Sequence, residues 1–317
     1  MTTYLLRRVG QAIAVVIGVM VLTFIMIHMV PGSAARATLG LKATPGRIAI
    51  FNSVNGLNEP LIEQFFTYVK QVMHGNLGTS YSLQQPVSTL ITQRLPIDLV
   101  LLGPSTVLSL LIALPLGIYQ AARRNSIGDN TVTVVAFILY AMPDFFFAML
   151  LIAIFSVQLN LLPSDVPEAS SVAGILSDPK ALVLPILTLT LLSIAGFSRY
   201  MRSSAIDALA QDYIRVAKAK GLSERLVLFR HVARNSMLPI ITILGLAAPG
   251  IVAGAVIAEE IFNYPGMGLL FFKAATSQDF PVMLGSTLVV GVATVLGNLV
   301  ADIAYSLLDP RIRYASE

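Results

Sequence analysis

The sequence predicts an all-α integral membrane protein with six transmembrane helices and both termini on the cytoplasmic side. Three observations carry that prediction. Hydrophobic residues make up 56% of the 317 and charged residues only 12%, with a mean hydropathy of +0.78, which is far from a soluble domain. Six apolar stretches are long enough to cross a hydrocarbon core of about 30 Å: Val9–Val30, Ile97–Ala122, Asn130–Gln158, Ala181–Ser198, Met237–Phe262 and Pro281–Leu307. With the N-terminus inside, segments 1–8, 123–129, 199–236 and 308–317 hold fourteen of the 21 Lys and Arg. The other seven (Arg36, Lys42, Arg47, Lys70, Arg94, Lys180 and Lys273) fall on the opposite side, the imbalance that the positive-inside rule requires.

Composition also excludes. No cysteine is present, so disulfides, thiolate metal sites and cysteine nucleophiles are out. The net charge of +4 belongs to membrane flanks and points to topology, with no nucleic-acid partner.

Along the chain, Arg7 and Arg8 precede an apolar run too long for a cleaved signal peptide, so residues 1–30 form an N-terminal segment and a retained first helix. Residues 31–96 are an extracytoplasmic region. Pro31-Gly32 opens it, and Leu61–Met73 has helical spacing at Leu61, Phe65, Tyr68, Val69 and Val72, which predicts a small amphipathic helix near the membrane. Residues 97–307 form the core, with five helices. The second span contains Gly103, Pro104, Pro115 and Gly117, breakers that membrane helices tolerate when neighbours satisfy the freed backbone. The third is expected to run through Pro143. Gly245, Gly250 and Gly254 give the fifth a small face for close packing. Residues 308–317 are a cytoplasmic tail.

Motifs for chemistry are missing. No G-x-x-x-x-G-K-[ST] loop occurs, so ATP hydrolysis is not expected of this chain. His28, His74 and His231 lack ligand spacing, and no metal site is expected. Ionisable residues inside a span are costly and often functional. Asp98, Glu259, Glu260 and Asp302 sit near helix ends, from which an interface is within reach. Asp144 is the mid-helix exception. It is either a carboxylate lining a pathway or one bonded within the bundle.

The stretch that stands apart is Arg199–Pro239. It carries eight Lys/Arg against Asp207, Asp212 and Glu224, and it exceeds what a connector needs. Gly221 divides it into two helical pieces. After the glycine, Leu222, Leu226, Phe229 and Ala233 fall on one helical face flanked by Arg225 and Arg230. Ser223 is placed to cap the new helix, with Glu224 in its first turn. Such a ridge suits a groove on a soluble partner; anionic headgroups are the alternative.

The residues Asp212-Tyr213-Ile214-Arg215-Val216-Ala217-Lys218-Ala219-Lys220-Gly221-Leu222, followed by Arg230-His231-Val232, Arg234-Asn235 and Leu238-Pro239, resemble the cytoplasmic EAA loop of ABC importer permeases. The dipeptide and oligopeptide branch is the most similar. Tyr4-Leu5-Leu6-Arg7-Arg8, His74-Gly75-Asn76-Leu77-Gly78, Arg94-Leu95-Pro96, Tyr264-Pro265-Gly266-Met267-Gly268 and Leu308-Asp309-Pro310-Arg311 extend the likeness over nearly the whole chain. The family's Glu-Ala-Ala reads Arg215-Val216-Ala217 here, as is usual in the peptide branch.

The resemblance implies a type I importer architecture. This chain would form half of the translocation pathway, beside a second, similar permease in a bacterial or archaeal cytoplasmic membrane. Two ATPase subunits, or one fused ATPase, would dock beneath and hold the ATP and Mg, leaving this chain without a cofactor. An extracytoplasmic binding protein would deliver substrate. The positions implied to meet the ATPase are Arg215, Ala217, Lys220, Gly221, Leu222, Glu224, Arg225, Leu226, Phe229, Arg230 and His231. Peptides are the expected substrates; nickel, haem or glutathione are carried by relatives with this pattern. An ion-coupled carrier acting alone is the competing reading, and the scarcity of mid-span charges counts against it.

Overall fold

A computed structural model describes residues 2–308. The expected tail beyond Leu308, with its Asp309-Pro310-Arg311 motif, and the side chain of Asp302 lie outside the described residues.

Among the described residues every regular element is a helix, with one isolated bridge between Thr79 and Pro86. In chain order the helices are α1 (Thr2–Met29), α2 (Ala34–Leu39), α3 (Pro45–Val54), α4 (Leu61–Met73), α5 (Val87–Ala122), α6 (Ile127–Ala141), α7 (Asp144–Leu151) and α8 (Val172–Leu176). They continue with α9 (Val183–Leu209), α10 (Asp212–Ala219), α11 (Glu224–Leu226), α12 (Ala233–Ala253), α13 (Val256–Ile261), α14 (Met267–Thr276) and α15 (Phe280–Leu308). Five stretches of the described residues are long and apolar enough to cross a membrane: Gly10–Met29, Val87–Ala122, Val183–Leu209, Pro239–Ile261 and Phe280–Leu299. A sixth results if Ile127–Ala141 and Asp144–Gln158, bent by 105°, count as one span.

Four departures from the sequence expectation have physical causes. α5 starts at Val87, ten residues before the predicted span, and passes through Pro96. Val87, Leu90 and Ile91 are buried against Met267, Leu270 and Val282, and that packing outweighs the proline's missing N–H. The third span does not run through Pro143 as a straight helix. α6 stops at Ala141, Met142 and Pro143 are extended, and the chain turns. α9 continues past Ser198 to Leu209, because Met201, Ala205 and Ala208 bury one face at helical spacing. The fifth span breaks at Gly254, whose φ of +76° is left-handed. A Cβ there would strike Glu259 Oε1, so only glycine fits.

Asp98 and Glu259 are also corrected. Neither reaches an interface: both are 0% exposed. Asp98 Oδ2 accepts from Met267 N at 3.0 Å, and Glu259 accepts from Ala255 N at 2.6 Å and Leu269 N at 2.8 Å. The two carboxylates thus hold the turn between α13 and α14. Tyr264, in that turn, is buried and donates its hydroxyl to Ile97 O at 2.6 Å.

The chain forms two compact units. The first comprises the residues up to Asp98, with Glu168–Gly174 and Pro249–Val295. In it α4 occupies the predicted residues and packs Phe65, Tyr68, Val69 and Val72 against Met20, Phe24, Ile27, Leu284 and Leu288. Burial pushes the Tyr68 phenol up to about 12, and its hydroxyl donates to Leu284 O at 3.4 Å. The second unit comprises Leu99–Pro167, Ile175–Ala248 and the residues from Leu296 on. Its core joins Ile118 and Ala121 of α5, Met201, Ala205 and Ala208 of α9, and five residues C-terminal to α9: Ile214, Ala217, Val227, Val232 and Ile240. α5 and α9 approach closely at Gly117, where a Cβ would lie 2.7 Å from Met201 Cβ and 2.8 Å from Ser198 O.

Candidate functional site

The basic stretch lies wholly within the second unit, and its local chemistry explains its shape. α10 begins at Asp212, an acid favoured at a helix N-terminus, and buries Ile214 and Ala217 three residues apart. It ends in a Schellman motif. Gly221 N donates to Lys218 O at 3.0 Å and Leu222 N to Ala217 O at 3.3 Å, with Gly221 at φ +78°. That motif needs a left-handed residue at this position, which glycine supplies at least cost. Gly221 therefore separates two helical pieces as the sequence predicts.

Ser223 stands at the N-cap position of α11, but its hydroxyl makes no capping bond. The expected side-chain cap is absent; the Ser223 carbonyl accepts from Val227 N at 3.0 Å instead. From Val227 to Val232 the helix widens into a π turn before resuming as α12. One extra residue in the turn brings positions five apart onto the same side. Val227 and Val232 accordingly face the core, at 1% and 0% exposure. Leu226 and Phe229, from the ridge expected to meet a partner, point away from the core at 39% and 68% exposure. Leu222 is half-buried against the core.

The predicted docking residues therefore sort into two sets. Ala217 is buried and Leu222 half-buried, both holding the segment to the unit. Arg215, Lys220, Glu224, Arg225, Leu226, Phe229 and Arg230 are exposed, and His231 is half-buried. Arg215 meets Asp212 at 3.2 Å on the surface, a pair worth little. An apolar hollow of about 400 Å³ lies beside Phe229 and Met201, bounded by Leu110, Leu114 and Ile118.

Three relationships escape the apolar pattern. Asn235 Nδ2 donates to Tyr213 Oη at 3.0 Å and to His231 O at 2.9 Å, tying α12 back to α10. Arg202 pairs with Asp129 of α6, and Arg199 lies over the rings of Phe137 and Tyr140 at 4.8 and 4.9 Å. Two of the eight basic residues are thus spent inside the unit rather than on a partner. The sequence carries one hint: Ser126-x-x-Asp129 has capping spacing, and Asp129 N does donate to Ser126 Oγ at 3.2 Å. Its long-range partner leaves no local signature.

Asp144 is in the first turn of α7, directly after the bend, and is exposed. It does not sit in the middle of a continuous helix. His28 binds Phe24 O and Gln64 Oε1, and His74 binds Lys70 O. Among the described residues no three His, Asp or Glu are grouped as a metal site.

Known proteins resemble this chain in sequence along its whole length. Residues 1–102 match the N-terminal region of binding-protein-dependent transport system membrane components. The chain is 39% identical over 316 residues to the oligopeptide transport system permease protein AppB of Bacillus subtilis, covering 99% of this chain and 100% of that one. It is 34% identical over 337 residues to the dipeptide transport system permease protein DppB of Escherichia coli K12, covering 99% of each. With residues 113–314 matching it as well, this chain belongs to the family of binding-protein-dependent transport system inner membrane components.

Proposed function

We propose that this permease subunit forms half of the pathway of an ATP-driven importer for di- or oligopeptides. The observation that carries the reading is the two-faced segment after Gly221. Val227 and Val232 anchor it in the unit's core, while Leu226 and Phe229, flanked by Arg225 and Arg230, are left for a partner. The names of the relatives, an oligopeptide and a dipeptide permease, support the substrate class.

In this reading the bent pair α6–α7 is one span of six. Both termini are cytoplasmic, and residues 31–96 lie outside. A second, homologous permease completes the pathway, and two ATPase subunits (or one fused ATPase) bind beneath with the ATP and Mg. A binding protein delivers the peptide from the outer side. Closure of the ATPases presses on Leu226 and Phe229, and the packed segment carries the movement into α5 and α9. The chain itself performs no catalysis. Asp144 faces the pathway; unchanged uptake by Asp144→Asn across pH would assign it to structure instead.

The test is reconstitution. Vesicles holding the chain, its partner permease and the ATPases should take up labelled peptide only with the binding protein and ATP. Accumulation of peptide by this chain alone would overturn the reading in favour of a carrier.

A further inference from the structure

We infer that the cavity beneath the Asn263–Gly266 turn is a binding site for a short peptide, gripped at both charged ends. This rests on the peptide-importer reading and adds to it a site within the permease itself. The cavity holds about 380 Å³ and lies wholly in the first unit, within the roughly 300–1,000 Å³ of small-ligand sites. Its walls include Arg94 of α5, Leu270 and Lys273 of α14, Val282 of α15, and Asp279 just ahead of α15.

Two side chains make it a built site. Arg94 is half-buried and held by one nitrogen: Nη1 donates to Pro265 O at 3.0 Å and to Ala169 O at 3.3 Å. Both of its hydrogen bonds among the described residues use Nη1, and the carboxylates of Glu168 and Asp98 act on its charge without a hydrogen bond to it. The Nε–Nη2 edge of the guanidinium is the fork that can receive a carboxylate through two parallel bonds.

Asp279 is the counterpart. It is 2% exposed, and its Oδ2 accepts from Ser80 Oγ at 2.6 Å and Ser82 N at 3.0 Å. Its Oδ1 is buried with no donor. A buried carboxylate oxygen without a donor is costly, and an ammonium group is the donor that matches its charge. A simple anion or a simple cation would satisfy one of the two groups. A molecule with an ammonium at one end and a carboxylate at the other satisfies both. The apolar wall at Leu270 and Val282 accepts varied side chains with little discrimination.

The experiment uses the purified complex of both permeases and the ATPases, without binding protein, titrated with trialanine by calorimetry. Saturable binding is expected. N-acetyl-trialanine and trialanine amide should each bind at least tenfold more weakly, as should trialanine to Arg94→Gln and Asp279→Asn. The amide should bind Arg94→Gln no worse than the parent, because both changes remove the same contact. No saturable heat, or equal binding of the blocked peptides to the unaltered complex, overturns the site. If vesicles still take up peptide with the binding protein, the importer reading survives that result. If no peptide is taken up, both fall. The blocked peptides decide the matter even if a variant fails to assemble.

Discussion

Arg202 of α9 grips Asp129 at the start of α6 with two hydrogen bonds, Nε to Oδ1 and Nη2 to Oδ2, both 2.8 Å long. The Asp129 side chain is 1% exposed and that of Arg202 28%. Asn125 N also donates to Asp129 Oδ2, and Gln120 Nε2 and Thr133 Oγ1 approach Oδ1. Removing one partner leaves the other charge poorly compensated in a partly dry site. Asp129→Asn and Arg202→Gln should each destabilise by about 1–3 kcal/mol, between the exposed and buried limits for such pairs. Arg202→Lys should recover only part of the loss, because an ammonium cannot make the fork. Thermal melts of the single and double variants check this. Additive losses would dissolve the pair.

Gly221 tests backbone against side chain. No atom lies within 4 Å of a Cβ built there, so Gly221→Ala meets no clash and pays only for its positive φ, about 1–2 kcal/mol. Gly221→Asn should behave nearly as the parent, since asparagine tolerates that conformation. The expected readout is a lower ratio of peptide uptake to ATP hydrolysis in Gly221→Ala and an unchanged ratio in Gly221→Asn.

Leu226 and Phe229 should separate from their neighbour Val227. Leu226→Asp and Phe229→Asp place a charge on an exposed face. They should leave membrane insertion and melting unaltered while the ATPase no longer co-purifies. Val227→Asp buries a charge in the core and should abolish folding of the segment. Affinity purification followed by melting distinguishes the two outcomes.

Gly117 is a steric test. Adding a methyl brings Cβ within 2.7 Å of Met201 and 2.8 Å of a backbone carbonyl, so α5 and α9 must part. Gly117→Ala should cost roughly 1–3 kcal/mol by overpacking. Gly103→Ala, on the same helix with nothing within 4 Å, should cost nothing. A lower melting temperature for Gly117→Ala alone is the expected result.

The helices were legible where burial keeps to a single period. Leu61–Met73 was readable to the residue because its apolar positions repeat at helical spacing. Gly221 was readable because a left-handed helix end has a chemical signature. Apolar length alone located the spans, while Pro143 and Gly254 turned the chain where a hydropathy window sees only continuity. The π turn at Val227–Val232 escaped a regular 3.6-residue reading, so the buried pair Val227 and Val232 beneath the Leu226–Phe229 ridge went unseen. Asp129 with Arg202, and Asp98 with Met267, join positions 73 and 169 residues apart. No local pattern encodes such partners.

The π turn gives one short segment two disjoint sets of residues. Val227 and Val232 belong to the close-packed interior, where volume is nearly fixed and strain passes on. Leu226 and Phe229 belong to the exposed side, which the proposed function assigns to the ATPase. On the proposed reading, mutation can retune the choice of motor subunit at the outward set without loosening the gearing at the inward one.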